Sequence, residues 1–356
     1  MRNLLLCFAF SALLGSEINA QICDSTVCKN SCCCASDVAL PAGLMLSHVH
    51  HKGEWMVSYR LMSMSMNGIR SGNSSISDNA VFNQYLMAPK SMQMNMHMLM
   101  AMYGVNNKLT LMFMANYISN TMKMSMLPVV GMNMPGMDMS TGNFNNPTVS
   151  SGLGDIKIYA LYNLLNNDYH QLVISAGANI PTGNINYLGA GNNIIYSGSR
   201  LPYAMQLGSG TFDVLPGISY LYKKEKLATG IQLSGVERFY NNSLGYHLGN
   251  EATANVWFAY RWLSFLSSSL RIETFVNNKI QGNDPYLYYL NEPSANPANY
   301  GGQRVALYLG STWQIRKGIL KNNKLGAEYG LPLYQYVNGI QAPVTAMINA
   351  YWSITF

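Results

Sequence analysis

The last thirteen residues, VTAMINAYWSITF at 344–356, alternate between apolar and mostly polar side chains. Successive side chains of a β-strand point to opposite faces, so this segment predicts a strand with one entirely apolar face. A helix would distribute the same residues around its circumference. The length suits a tilted strand that crosses a bilayer, and the chain ends on an aromatic residue, Phe356, as outer-membrane barrels commonly do. The segment therefore favours a membrane β-strand.

The same periodicity recurs from Trp55 onwards and predicts twelve strands. They are expected at 54–66, 91–104, 108–120, 152–165, 169–182, 205–222, 226–240, 246–263, 264–280, 302–317, 323–336 and 342–356. Long connections alternate with short ones, which is typical of outer-membrane barrels. Charged residues make up 11% of the chain, against about 25% in an average soluble domain. The predicted fold is all-β: a transmembrane antiparallel up-and-down β-barrel of about 12 strands, with about 14 as the alternative.

The amino terminus has the features of a secretory signal peptide. Arg2 precedes a short apolar run, and small and polar residues lead to a cleavage position after Ala20. We therefore divide the chain into a signal peptide at 1–20, a Cys/His-rich periplasmic tail or plug at 21–53 and a barrel at 54–356. This organisation predicts the outer membrane of a Gram-negative bacterium, with its lipid as a partner. The net charge of +6 is not clustered and does not favour nucleic-acid binding.

Several stretches carry motifs: GLGDIKIYALY (152–162), ANIPTG (178–183), QLGSGTFDVLPGISY (206–220), GYHLGNEATANVWFAYRW (245–262), GGQRVALYLG (301–310) and LGAEYGLPLYQYVNGIQ (325–341). Together they resemble a bacterial family, the outer-membrane barrels named for the meta-pathway of phenol degradation, which is distantly like the long-chain fatty-acid channels. The resemblance covers residues 44–356. It implies a channel or transporter for small molecules, with no catalytic residue to carry over. Because no catalytic constellation appears elsewhere either, we expect no enzymatic activity.

Methionine is concentrated in one part of the chain: 20 of the 24 methionines lie between Met56 and Met139. In SMQMNMHMLMAMY (91–103) they occupy every second position from Met92 to Met102, opposite Gln93, Asn95 and His97. Since polar faces are expected to line a barrel lumen, this pattern predicts that the methionine row faces lipid. On the two adjacent strands, methionines share a face with polar residues, which predicts a lumenal position for Met56, Met62, Met64, Met66, Met112 and Met114.

Two further groups of soft donor atoms lie outside the predicted strands. Seven methionines fall in the connection 121–151, and five cysteines and three histidines fall in the tail. Thioethers and thiolates select soft ions, so we expect Cu(I) or Ag(I) as cargo. The predicted metal ligands are Met122, Met124, Met126, Met132, Met134, Met137, Met139, Cys23, Cys28, Cys32, Cys33, Cys34, His48, His50 and His51.

Two functions remain open from the sequence. The first is an outer-membrane channel that handles soft metal ions through these residues. The alternative is a channel for small apolar or aromatic molecules in which methionine serves only packing. Neither requires a resident cofactor, and a periplasmic partner is compatible with both. Charged residues on the polar faces are expected to pair and brace the wall; they include Arg60, Asp155, Lys157, Asp213, Glu251, Arg261, Arg271, Glu273, Arg304 and Glu328.

Overall fold

A computed structural model describes residues 40–127, 147–189 and 198–356, together with the backbone of 137–138 and 143–144. These residues form an antiparallel barrel of twelve strands, of which the fourth is interrupted. The strands are β1 (Trp55–Asn67), β2 (Met87–Gly104), β3 (Leu109–Met126), β4 (Thr148–Leu153 and Ile156–Asn166), β5 (His170–Ile180), β6 (Asp213–Lys224), β7 (Leu227–Val236), β8 (Glu251–Leu263), β9 (Leu266–Asn277), β10 (Gly302–Gln314), β11 (Asn323–Gln341) and β12 (Val344–Thr355).

The barrel closes because its last strand pairs with its first. The register runs from Met56 opposite Thr355 to Met66 opposite Val344, and the Trp55 amide donates to the Phe356 carbonyl at 2.9 Å. Every other strand pairs with its neighbour in the chain, so the topology is up-and-down. The prediction of a closed barrel with twelve strands is confirmed.

The connections differ at the two ends of the barrel. At the end that holds both Trp55 and Phe356, tight turns join the strands; the Asn106 side chain, for example, accepts from the amides of Lys108 and Leu109 at 2.8 and 2.9 Å. Longer connections lie at the other end, apart from the two residues that join β11 to β12. Short turns are periplasmic in outer-membrane barrels, so the long connections form the extracellular end.

The connections contain the remaining regular structure. Their elements are the strands Arg70–Gly72, Ser74–Ser75, Met137–Asp138, Asn143–Phe144, Tyr246–His247 and Gln281–Gly282, the helix α1 (Asp78–Phe82), and 3₁₀ turns at Tyr203–Met205, Pro293–Ala295 and Pro297–Asn299. Among the described residues, no helix has the length and apolar character needed to cross a bilayer.

The outer surface carries the apolar side chains that alternation predicted. On β8 and β10, for example, Val256, Phe258 and Leu309 are exposed. Aromatic residues gather near the periplasmic turns, where the ring pairs Trp55–Tyr103 and Tyr260–Trp262 each have centroids 4.7 Å apart. An apolar band edged by aromatic rings is the exterior of a membrane barrel.

Several strand limits differ from the predicted ones. The strands expected at 205–222 and 246–263 begin only at Asp213 and Glu251, because glycine-rich segments before them form loop structure. In contrast, β2 and β3 extend beyond their predicted limits at the extracellular end: β2 begins at Met87 and β3 continues to Met126. The connection expected at 121–151 is correspondingly shorter.

The prediction that the row from Met92 to Met102 faces lipid is wrong. Met100 and Met102 are each 2% exposed, whereas Leu99 is 57% exposed, so the methionines point into the barrel. The polar residues opposite them lie on the outer surface, where they bond to their neighbours on β1. Ser63 and Ser65 donate to the side-chain carbonyls of Asn95 and Gln93 at 2.8 and 2.6 Å.

A hydrogen bond also joins the Tyr59 hydroxyl to Nδ1 of His97 at 2.7 Å. Because these polar groups satisfy one another across β1 and β2, they do not need to face the lumen.

Candidate functional site in the lumen

One wall of the lumen consists largely of methionine. The inward positions of β1, β2 and β3 hold Met56, Met62, Met64, Met66, Met87, Met92, Met94, Met96, Met98, Met100, Met102, Met112, Met114, Met122, Met124 and Met126. We call this surface the methionine wall. It confirms the lumenal position predicted for the methionines of β1 and for Met112 and Met114, which are 2% and 3% exposed.

The methionines form rows across the three strands. Met66, Met92 and Met122 lie directly opposite one another near the extracellular end. Residues opposite each other in antiparallel strands have Cβ atoms about 4.5–5.5 Å apart, so the side chains within a row pack together. A long unbranched thioether is flexible and polarisable, and the rows therefore form an apolar but adaptable surface.

The opposite wall is charged. Arg271 is 2% exposed. Its guanidinium pairs with Glu328 and with Glu273 at 2.8 Å, and donates to the side-chain oxygen of Asn255 at 2.6 Å. Arg304 reaches the second oxygen of Glu273 at 3.1 Å. These charges compensate one another and connect β8, β9, β10 and β11, as expected for groups that brace the wall.

Part of the predicted tail lies inside the barrel. Residues 40–50, which we call the lumen segment, are held through their backbone by side chains of separate strands. Arg60 of β1 donates to the Ala42 carbonyl at 2.6 Å, Gln232 of β7 to the Met45 carbonyl at 2.5 Å, and Thr312 of β10 to the Leu40 carbonyl at 3.4 Å. The lumen segment thus spans the periplasmic half of the lumen from one wall to another.

Gly43 marks the point where the lumen segment meets the charged wall. A Cβ atom at this position would lie 2.2 Å from Oε1 of Glu328 and 2.4 Å from a guanidinium nitrogen of Arg271. Only glycine fits there without displacing the ion pair. Leu44 packs on the adjacent wall against Leu221, Ala228 and Trp257.

His48 and His50 are two of the predicted metal ligands that the structure brings together. Their ring centroids are 5.1 Å apart, and Nδ1 of His48 and Nε2 of His50 are buried without a hydrogen-bond partner among the described residues. Burial and then the neighbouring charges His50, Lys324 and Arg60 hold the pKa of His48 well below its ordinary value.

For His50, burial lowers the pKa, although Glu54, 3.3 Å from its Nδ1, acts in the opposite direction. Burial therefore favours the neutral form of both rings. His51 is exposed, and its amide donates to Glu54.

The loop position expected for Met122, Met124 and Met126 is wrong, because all three belong to β3. Met122 and Met124 are each 3% exposed and pack with Met92 and Met205 beneath the connection that follows β5. The remaining predicted ligands, Met132, Met134, Met139 and the five cysteines, lie outside the described residues, as does the side chain of Met137.

The barrel wall is interrupted in β4. Its extracellular part, Thr148–Leu153, pairs with β3. On its other side, β5 ends at Ile180 and β6 begins at Asp213, so no described strand reaches it. The connection between β5 and β6 covers this edge: the Tyr187 hydroxyl accepts from the Ser151 amide at 3.4 Å.

Asp155 organises the structure around this interruption. Its carboxylate accepts from the Gly183 amide at 2.9 Å, from the Ser209 amide at 2.9 Å and hydroxyl at 2.8 Å, and from the Asn179 side chain at 2.9 Å. Asn179 also donates to Asp213 at 3.0 Å. The GDI, PTG and GSG..D motifs, distant in sequence, therefore meet at one carboxylate.

Gly208 should be essential for this arrangement. A Cβ atom there would lie 2.6 Å from the Gly183 carbonyl and 2.7 Å from Oδ1 of Asp155. We expect Gly208→Ala to lower the free energy of unfolding in detergent micelles by about 1–3 kcal/mol, the usual cost of overpacking. Gly235→Ala is the control, since its nearest neighbour would be 3.2 Å away. Equal urea midpoints for both variants would contradict this assignment.

A cavity of about 170 Å³ lies in the lumen behind the interruption. Apolar side chains line part of it: Met96, Ile118, Leu207, Leu215, Val236 and Leu248. Asp155, Lys157, Asp213 and Arg238 also line it; the Asn179 side chain donates to both Asp155 and Asp213, and Nε of Arg238 lies 3.4 Å from Asp213. The cavity therefore has a mixed lining of apolar and charged side chains, and Met96 connects it with the methionine wall.

Sequence reasoning missed the residues that the β5–β6 connection contributes. Met205 is fully buried against the extracellular end of the methionine wall, and Leu207 lines the cavity. The isolated Met205 in PYAMQLGSG is the available signal, but the alternation predicts that a strand begins at this residue.

One of three comparisons with known proteins bears on the fold. No family model and no curated protein sequence matches the chain. Among solved structures, an outer-membrane channel from Pseudomonas putida F1 superposes with a TM-score of 0.55 and 14% identity, covering 90% of this chain and 98% of that one.

Two further matches have lower TM-scores. The P. putida toluene transporter TodX has a TM-score of 0.41 and 10% identity, covering 87% of this chain and 92% of that one. The KdgM porin has a TM-score of 0.39 and 9% identity, covering 85% of this chain and 99% of that one. We base the fold assignment on the first match. Together with the apolar exterior and the closed sheet, it shows that the chain has the fold of an outer-membrane channel and belongs to the outer membrane of a Gram-negative bacterium.

Proposed function

We propose that the protein is a channel for small apolar molecules, monoaromatic compounds among them. The observation that carries this proposal is the methionine wall, a largely apolar surface on the inside of the barrel, while Gln93, Asn95 and His97 of β2 lie on the outside. Thioethers make favourable contacts with aromatic rings and adapt to ligands of different shape. A hydrated pore for polar solutes does not require an apolar lining of this kind.

The proposal includes a route for the apolar molecule through the cavity. Its lining includes Met96 of the methionine wall and Leu207, which lies beside Gly152 at the interrupted part of β4. An apolar molecule that follows these side chains arrives where the wall lacks a strand partner among the described residues and where a loop, not a strand, separates it from the bilayer. We therefore include exit beside Thr148–Leu153 in the proposal.

The described residues give less support to soft-metal transport through the loop methionines and the tail. Met122 and Met124 come together in the wall of the barrel and not in a loop, and His48 and His50 come together as a separate pair. The cysteines and Met132, Met134, Met137 and Met139 stay a prediction. No enzymatic activity and no resident cofactor are part of the proposed function, and lipid and cargo are its expected partners.

Met96→Glu tests the proposed function. A carboxylate in the cavity adds a hydration shell that an apolar molecule must displace, which raises its barrier by at least ~1.4 kcal/mol and slows uptake by about tenfold or more. Uptake of radiolabelled toluene into proteoliposomes measures the effect. Met96→Leu, which keeps the volume and apolar character, should transport like the wild type.

Uptake of a polar solute of similar size separates the two kinds of channel. If Met96→Glu admits toluene at the wild-type rate, or the wild type passes glycerol as readily as toluene, the lining does not select apolar cargo and the proposal fails.

A further inference from the structure

The extracellular end of the methionine wall has a feature that apolar transport does not require. Met66, Met92 and Met122 form one row across β1, β2 and β3, and Met205 reaches the same cluster from the β5–β6 connection. Three thioethers thus come from the sheet and a fourth from the loop that covers it. Met92, Met122 and Met205 are 7%, 3% and 0% exposed.

Packing alone does not account for the choice of methionine. Between Met56 and Met126, methionine occurs repeatedly at the inward positions of β1 to β3. Ile118 is the branched aliphatic residue at these positions. The outward positions of the same strands use Val57, Leu61, Leu99, Leu111 and Phe113 for their apolar contacts, and methionine at none of the described ones. The chain therefore separates thioethers from other apolar side chains according to the face.

From this geometry we infer a binding site for a soft monovalent cation, Cu(I) or Ag(I), formed by Met66, Met92, Met122 and Met205. Neutral thioether sulfur prefers soft ions to Zn²⁺ or Mg²⁺. Directly opposed strand residues are close enough for their flexible side chains to turn their sulfur atoms towards one point. The loop methionine supplies the donor on the side away from the sheet, which a row on a single sheet cannot provide.

The periplasmic end of the wall provides a matched control. Met56, Met102 and Met112 form a similar row, with Met100 beside it. There, Leu46 of the lumen segment, Leu161 and Val173 pack into the cluster, and Met45 of the same segment is only partly buried against it. The row at the extracellular end differs because its loop thioether, Met205, is fully buried and Leu201 is the buried branched aliphatic residue of its cluster.

The experiment measures Ag⁺ bound to the purified full chain, with all thiols blocked by N-ethylmaleimide so that the cysteines do not contribute. Changing Met66, Met92, Met122 and Met205 to Leu removes the donors and keeps the volume, and should remove one equivalent of Ag⁺. The same change at Met56, Met100, Met102 and Met112 should leave the stoichiometry at the wild-type value. Heat-modifiable mobility in SDS confirms that each variant is folded.

Met205→Leu alone leaves the sheet unchanged and covers the case in which the fourfold variant does not fold. It should weaken Ag⁺ binding by roughly tenfold or more, since one donor of four is lost. Excess Zn²⁺ should not compete. Equal loss of Ag⁺ from both fourfold variants, no loss from either, or displacement by Zn²⁺ would each overturn the site. None of these outcomes bears on toluene uptake, which tests the proposed function separately.

Discussion

A variant that lacks residues 21–50 should show a larger unit conductance in planar bilayers than the full chain. Barrels of about 8 strands are filled by their own side chains and those of about 16–18 leave an aqueous channel, so twelve strands leave space that another element must fill. The lumen segment occupies that space, held by Arg60, Gln232 and Thr312. Its removal leaves a continuous aqueous path through the periplasmic half.

Gly43→Val gives the same test without a deletion. The added side chain collides with the Arg271–Glu328 pair and should displace the lumen segment. The conductance should then rise, as it does in the deletion variant. Gln232→Ala removes one backbone contact only and should change the conductance least. If the deletion conducts like the full chain, side chains of the strands, not the lumen segment, close the lumen.

Glu328→Leu should destabilise the barrel by about 3 kcal/mol, because it leaves Arg271 buried with Glu273 as its remaining carboxylate. Arg271 is 2% exposed, and its guanidinium carbon lies 3.7 Å from the centre of the Tyr308 ring, so water cannot readily replace the lost partner. Urea unfolding in detergent micelles measures the free energy.

The double variant Arg271→Met, Glu328→Leu should recover most of that loss, since no unpaired charge remains. Asp78→Asn is the control: its partner Lys90 is 41% exposed, and an exposed ion pair contributes at most about 1 kcal/mol. A Glu328→Leu variant as stable as Asp78→Asn would show that the charged wall does not depend on this pair.

The fold could be predicted from the sequence because most strands obey one physical rule. On β8, β10 and β12 the apolar residues face lipid and the polar ones face inward, so alternation indicates both the strand and its orientation. The closing strand, 344–356, is the clearest example. Its pairing with β1 follows from the requirement that every backbone amide in the bilayer be bonded.

The same rule gave the wrong orientation for β2, for a reason that lies in tertiary contacts. Gln93, Asn95 and His97 can occupy the outer surface because Ser63, Ser65 and Tyr59 on β1 bond to them. Those partners are about 30 residues away in sequence, and the register that aligns them is not visible in the alternation itself.

The site was only partly predictable for a similar reason. Each of the GDI, PTG and GSG..D motifs was recognisable, but their convergence on Asp155 depends on how β4, β5 and β6 are aligned. Met205 enters the methionine cluster only because its connection folds back over the wall. The sequence pattern identifies these residues but not the distances between them in the fold.

A lumen lined by thioethers also has a chemistry that one lined by leucine lacks. Oxidants convert methionine to its sulfoxide, a polar group, and reductases reverse the reaction. Oxidation of a row such as Met66, Met92 and Met122 would place three strong dipoles on a surface that is now apolar. The polarity of the lumen would then depend on the redox state of the cell's surroundings. An apolar molecule would cross an oxidised barrel less readily than a reduced one.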